Sequence, residues 1–162
     1  MKLVYISFFI SLFLLTSCGS SKNINKYKSK TVSTKSRTTT IVNDAQSYIG
    51  TRYRTGGTTR KGMDCSGLIY TAFNNNGVKM YRTSNDMSKQ GKPIKTNDVK
   101  KGDLLFFKTS KSSRNINHVG LVTKVNSNGI YFIHSTTSKG VMESNLKTNY
   151  WNKAFKYAKR VL

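Results

Sequence analysis

Apolar positions along this 162-residue chain recur with two different periods. In the first half Leu68, Ile69, Ala72 and Phe73 follow Ser66 at helical spacing, and Gly77 stands where a left-handed C-terminal cap belongs. The spacing predicts a helix beginning at or just after Cys65. Upstream, Ile41, Val42, Ala45, Tyr48 and Ile49 form a second stripe, with Thr40 or Asn43 as its cap and Gly50 as its stop. Residues 51–62 read as a loop containing the pair Gly56-Gly57, and a short helix is expected from Thr83 or Ser84 to Gln90, ended by Gly91 and Pro93. Past residue 100 the period changes. Residues 103–108, 118–125 and 129–134 are short β-branched or aromatic runs bounded by turn formers, and Asn126-Ser127-Asn128-Gly129 makes a hairpin of the last two. Residues 141–146 and 155–161 are expected as edge strands, with a turn at Asn149-Tyr150-Trp151 between them. Helices followed by an antiparallel sheet make an α+β fold, and the length suits one domain with appendages.

The first 17 residues break this pattern. Lys2 precedes an apolar run, Leu3 to Leu15, and the small residues Thr16 and Ser17 stand before Cys18. This reads as an export signal, and its apolar run is short for a membrane-spanning helix. Leu15-Thr16-Ser17-Cys18 also resembles the bacterial lipobox, which implies that Cys18 is the mature N-terminus and carries a thioether diacylglycerol and an amide-linked acyl chain. Residues 19–40 carry six basic and no acidic side chains and no sustained apolar period, so residues 18–40 are expected to be a flexible basic tether, with the folded domain at 41–162. As a coil, 22 residues would span roughly 25 Å.

Charge then narrows the partners. Lys and Arg number 28 against 6 Asp and Glu, a formal charge of +22. Such a balance favours a polyanionic neighbour, and export argues against nucleic acid and for the cell envelope. The chain has two cysteines, and if Cys18 is acylated, Cys65 is a lone thiol in an oxidising compartment, hence buried, intermolecularly paired or reactive. A Cys18 to Cys65 disulfide is the alternative. At a helix N-terminus, the free amides and the macrodipole are expected to lower the pKa of Cys65 and favour its thiolate.

Only two histidines are present, His118 opening one expected strand and His134 closing the next. A hairpin brings those ends together, and a Cys65 helix packed across the sheet would converge on them. His118 would then take the thiol proton, with His134 accepting from its other ring nitrogen. The same three side chains could instead form a Cys-His-His zinc site, although no short metal-ligand spacing is present. Each histidine alone could be merely structural.

Six ordered blocks now carry a resemblance: Gly50-Thr51-Arg52-Tyr53-Arg54-Thr55-Gly56-Gly57, Asp64-Cys65-Ser66-Gly67-Leu68, Arg82-Thr83-Ser84, Gly102-Asp103-Leu104, Asn117-His118-Val119-Gly120 and Phe132-Ile133-His134. Together they resemble the NlpC-type cell-wall endopeptidases from about Asp44 onward. The resemblance implies a papain-like α+β fold that cleaves peptidoglycan stem peptides, commonly between γ-D-glutamate and the following diamino acid. It implies Cys65 as nucleophile, His118 as base and His134 as the orienting residue. It suggests Tyr53 as a hydroxyl beside the nucleophile, Asp64 and Ser66 as stem-peptide contacts, and the Cys65 amide as an oxyanion donor. Neither metal nor other cofactor is called for, and a monomer is expected. Departures from the family's pattern at Arg52, Thr55, Tyr81, Met87 and Lys101 bear on subsite preference and leave the three catalytic types in place. Lipoprotein processing together with stem-peptide cleavage points to a periplasm, and Gly19 after the lipidated cysteine points to the outer membrane. The alternative of another class is a non-catalytic envelope lipoprotein whose basic surface holds an acidic wall polymer. Tyr150, Trp151 and Tyr157 are expected as core or edge packing.

Overall fold

The structure, a computed structural model, describes residues 33–162. The export signal, Cys18 and most of the basic tether lie outside the described residues. The folded part begins earlier than the apolar stripe suggests. Helix α1 runs Thr34–Gln46, and Ser33 caps it by accepting a hydrogen bond from the Ser36 amide. Residues 34–40 are therefore helix and not tether. Ile41, Val42 and Ala45 are buried and anchor its second half, which lets the polar first turns continue outward from a nucleus already formed.

After α1 comes a two-stranded ribbon of β1 (Thr58–Thr59) and β2 (Gly62–Met63), too short to show any alternation in sequence. Helix α2 spans Cys65–Asn75, and α3 is only Ser84–Met87, ending three residues before the expected Gln90. Gly50 and Gly77 adopt positive φ, 85° and 71°, where the two helix stops were expected.

The sheet has six strands. In chain order these are β3 (Lys92–Ile94), β4 (Leu104–Phe107), β5 (His118–Asn126), β6 (Gly129–Thr136), β7 (Gly140–Asn145) and β8 (Phe155–Arg160), arranged spatially as β3-β8-β4-β5-β6-β7 with antiparallel neighbours throughout. Strand β8 is thus interior, between β3 and β4, whereas the chain pattern suggested an edge. The edge on that side is β3, the strand that carries Pro93 and can spare its missing donor there, and β7 is the other edge, as expected. The expected turn at Asn149-Tyr150-Trp151 is a short helix, α4 (Asn149–Ala154).

Both faces of the sheet are covered, and β4 shows how. Leu104 and Phe106 point into a core shared with α1, α2 and α3, while Leu105 and Phe107 point into a second core with Val122, Phe132 and Ala158 on the far side. The first core packs α2 across β5 and β6, and so places the start of α2 beside the start of β5.

Candidate active site

Cys65 is the first residue of α2. Asp64 before it is the cap, its Oδ1 accepting from the Gly67 amide at 2.6 Å and its Oδ2 from the Gly56 amide at 2.7 Å. Arg82 donates to both carboxylate oxygens, at 3.1 and 3.0 Å, and Ser66 joins through a 3.1 Å bond to Oδ1 and a 3.0 Å bond from Arg82. Burial alone would raise the Asp64 carboxyl, but the hydrogen bonds from Arg82 and Gly67 and the Arg82 charge outweigh it and hold the group below its ordinary 3.8. Glycines let the surrounding backbone close up. A Cβ on Gly67 would lie 2.0 Å from the Gly57 carbonyl oxygen, and one on Gly57 would lie 2.2 Å from that of Gly62. The loop from Gly56 and the first turn of α2 are thereby locked together.

His118 begins β5 and His134 lies on β6, and their rings meet, His118 Nε2 to His134 Nδ1, at 3.0 Å. The second nitrogen of His134, Nε2, is 2.9 Å from Ser144 Oγ on β7. Trp151 of α4 stacks on His118, centroids 5.2 Å apart and 24° between planes, and stands edge-on to His134 at 4.5 Å. Phe107 and Phe132 close the remaining sides. His134 is wholly buried and His118 nearly so. This apolar enclosure disfavours the imidazolium, pulling His118 down to about 4 and His134, with the charge of His118 adding, to about 3.

Cys65, His118, Tyr53 and Ser144 open onto one cavity of about 450 Å³, with Lys139, Tyr150 and Trp151 on its rim. The thiol shows part of its surface to this cavity and is otherwise enclosed by protein. That enclosure reverses the expected shift. Burial pushes the Cys65 thiol up to about 11, with the Asp64 charge adding, against the amides of Val119, Ser66 and Cys65 itself. At neutral pH the site therefore holds a thiol and a neutral imidazole. The helix terminus is outweighed because its partial charge is small beside the cost of desolvating a thiolate.

Of the residues singled out from the chain, Tyr53, Cys65 and His118 share the cavity, and His134 lies behind His118. Asp64 and Ser66 face Arg82 and do not line the cavity. Among the described residues no three His, Cys, Asp or Glu side chains cluster where they could hold a metal ion. Sequence reading missed Ser144 and gave Trp151 only a packing role. Neither has a local signal, since a serine in a polar strand and an aromatic in an expected turn are both ordinary. The constellation, a thiol at a helix start beside a strand-borne imidazole pair, stands on helices packed against an antiparallel sheet.

The family model described as the NlpC/P60 family matches residues 50–160, more than half of the chain. The chain belongs to the NlpC/P60 family. It is 34% identical over 134 residues to the murein DD-endopeptidase MepS/murein LD-carboxypeptidase of Escherichia coli K12, which covers 82% of this chain and 66% of that protein. It is 40% identical over 81 residues to the γ-D-glutamyl-L-lysine dipeptidyl-peptidase of Bacillus subtilis, half of this chain and 27% of that one. Among solved structures, an NlpC/P60 family protein from Bacillus cereus superposes with a TM-score of 0.70 at 27% identity, over 77% of this chain and 40% of the other. The chain thus spans just under two thirds of MepS and less of the other two. Its α+β domain is of the papain-like NlpC/P60 type, a cysteine-peptidase fold.

Proposed function

We propose that this protein is a cysteine endopeptidase that hydrolyses peptidoglycan stem peptides at the bond between γ-D-glutamate and the following diamino acid. One observation carries the reading: Cys65 and His118 open on a single cavity while His118 is hydrogen-bonded from behind to His134. His118 Nε2 is engaged by His134, which leaves Nδ1 for the cavity. Nδ1 takes the Cys65 proton as Sγ bonds to the scissile carbonyl carbon, and the oxyanion is held by the Cys65 amide at the helix start. His118, now an imidazolium, donates through Nε2 to His134. It next gives its Nδ1 proton to the departing amine, leaving a thioester on Cys65. Water attacks the thioester with His118 again as base, releasing the carboxylate and restoring the thiol. Tyr53 places its hydroxyl beside this centre, and Asp64 and Ser66, with Arg82, shape the backbone that meets the stem peptide.

The test is mass spectrometry of fragments released from defined peptidoglycan. Fragments with a new diamino-acid N-terminus are expected, and Cys65→Ala should reduce their release by roughly a thousandfold or more. Undiminished release by Cys65→Ala would overturn the mechanism. Fragments cut at the D,D cross-link, the bond in the name of MepS, would move the specificity to that bond. Attachment to the membrane through Cys18, the outer membrane for preference, belongs to the same proposal. Intact mass of the full-length product should show the acyl groups on wild type and not on Cys18→Ser.

A further inference from the structure

Beside the catalytic cavity lies a second hollow of about 510 Å³. The loop after β4 forms one wall with Lys108 and Lys111, and α4 with the start of β8 forms the other with Lys153 and Lys156. A backbone hydrogen bond from Lys108 to the Ala154 carbonyl, 2.9 Å, ties the walls at the base. Thr109 and Tyr150 line both hollows, so the two share a rim.

None of the chain's six carboxylates reaches either hollow. Asp64 is paired with Arg82, Asp86 with Lys89 and Asp103 with Arg160. Asp44 accepts from Asn75 and Asn76, Glu143 from Gln46, and Asp98 sits on the 3₁₀ turn after β3. Lys108 donates to a neutral carbonyl, that of Arg114, at 2.6 Å. A concave wall of one sign next to a reaction site concentrates the opposite charge there. The substrate chemistry supplies that charge. A glutamate linked through its γ-carboxyl keeps its α-carboxylate free, and the peptide on the leaving side ends in another.

We infer that the lysine-walled hollow is a subsite for the carboxylates of the stem peptide on the flank of the scissile bond. This rests on the stem-peptide reading and adds which chemical groups select the substrate. Tyr150 adds a hydroxyl donor on the path between the two hollows.

The test measures binding, so that its result is separate from turnover. Full-length protein carrying Cys65→Ala is titrated, by fluorescence anisotropy, into a labelled stem peptide with free carboxylates and into the same peptide with carboxamides. The carboxylate peptide should bind about five- to tenfold more tightly at low ionic strength, as expected for a few exposed charge pairs acting together. That preference should vanish in the triple variant Lys111→Gln, Lys153→Gln, Lys156→Gln and in about 0.5 M salt. It should survive in the corresponding triple Lys→Arg variant, which keeps the charge. Equal affinity for the two peptides, or a preference retained by the glutamine variant, would sink the inference. So would displacement of the carboxylate peptide by a phosphodiester polymer at far lower charge concentration, which would give the hollow to a wall polymer. The stem-peptide reading fails by a different measurement, the absence of Cys65-dependent cleavage in wild type.

Discussion

In the proposed mechanism Ser144 sets which protons the histidine pair carries. For His118 to accept the thiol proton at Nδ1, its Nε2 must bear hydrogen and donate to His134 Nδ1. His134 must then carry its own proton on Nε2, and the group that accepts it is Ser144 Oγ at 2.9 Å. Removing that acceptor lets His134 place its proton on Nδ1 instead, which turns His118 into the unproductive tautomer. Ser144→Ala is expected to lower kcat roughly three- to tenfold with KM unchanged, the worth of about one hydrogen bond, and Ser144→Thr to restore it. Nitrogen-15 chemical shifts of the two rings should show the tautomer change in the alanine variant, which a loosened strand alone would not produce. At this scale the chain disclosed Cys65 and two candidate imidazoles because each type is rare in it. It did not disclose Ser144, one of many serines, whose role exists only through its position opposite Phe132 in the β6 to β7 register.

The start of α2 is an element held from outside itself. Asp64 caps it, but Arg82, 18 residues on, supplies two of the hydrogen bonds that keep the largely buried carboxylate satisfied. Arg82→Ala is expected to cost about 2 kcal/mol of stability, since the carboxylate is left short of donors in a part-buried place. Urea unfolding checks this, and an unchanged midpoint would show that solvent replaces the guanidinium. Because Cys65 follows Asp64 directly, the same variant should lower cleavage more than the stability loss explains. The cap residue and the two glycine blocks were legible in sequence. Their meaning was not, because the close approach of Gly67 to Gly57 is a contact between segments. Likewise, the six residues of α4 carry too little periodicity to declare a helix, and the chain pattern predicts a turn there.

For the whole molecule the buried histidine pair is a stability term that depends on pH. The unfolded chain protonates His118 near 6.5, while the folded protein resists until about 4. Between those values the unfolded state binds more protons, so stability falls as pH is lowered through that window and levels off below it. The shift corresponds to a loss of roughly 3 kcal/mol from His118 alone, with His134 acting in the same direction. Urea midpoints at pH 7 and pH 4.5 should differ by that order, and His118→Asn should narrow the gap. Cleavage should decline over the acid part of the range as His118 loses its capacity as a base. A gap that persists undiminished in His118→Asn would place the acid sensitivity elsewhere.

Local physics accounts for what could be read from the chain alone. Helical spacing gives α2 and the inner half of α1, short β-branched or aromatic runs mark β4 to β6, two further segments are expected as the strands β7 and β8, and residue types nominate Cys65, His118 and His134. These depend on neighbours a few positions apart. The order of the strands, with β8 inside the sheet, and the neutral charge state of the thiol and imidazoles were decided only by tertiary packing. So was the juxtaposition of lysines from two distant segments. Desolvation and cross-sheet contact are properties of the enclosed volume, and a linear pattern carries no measure of it.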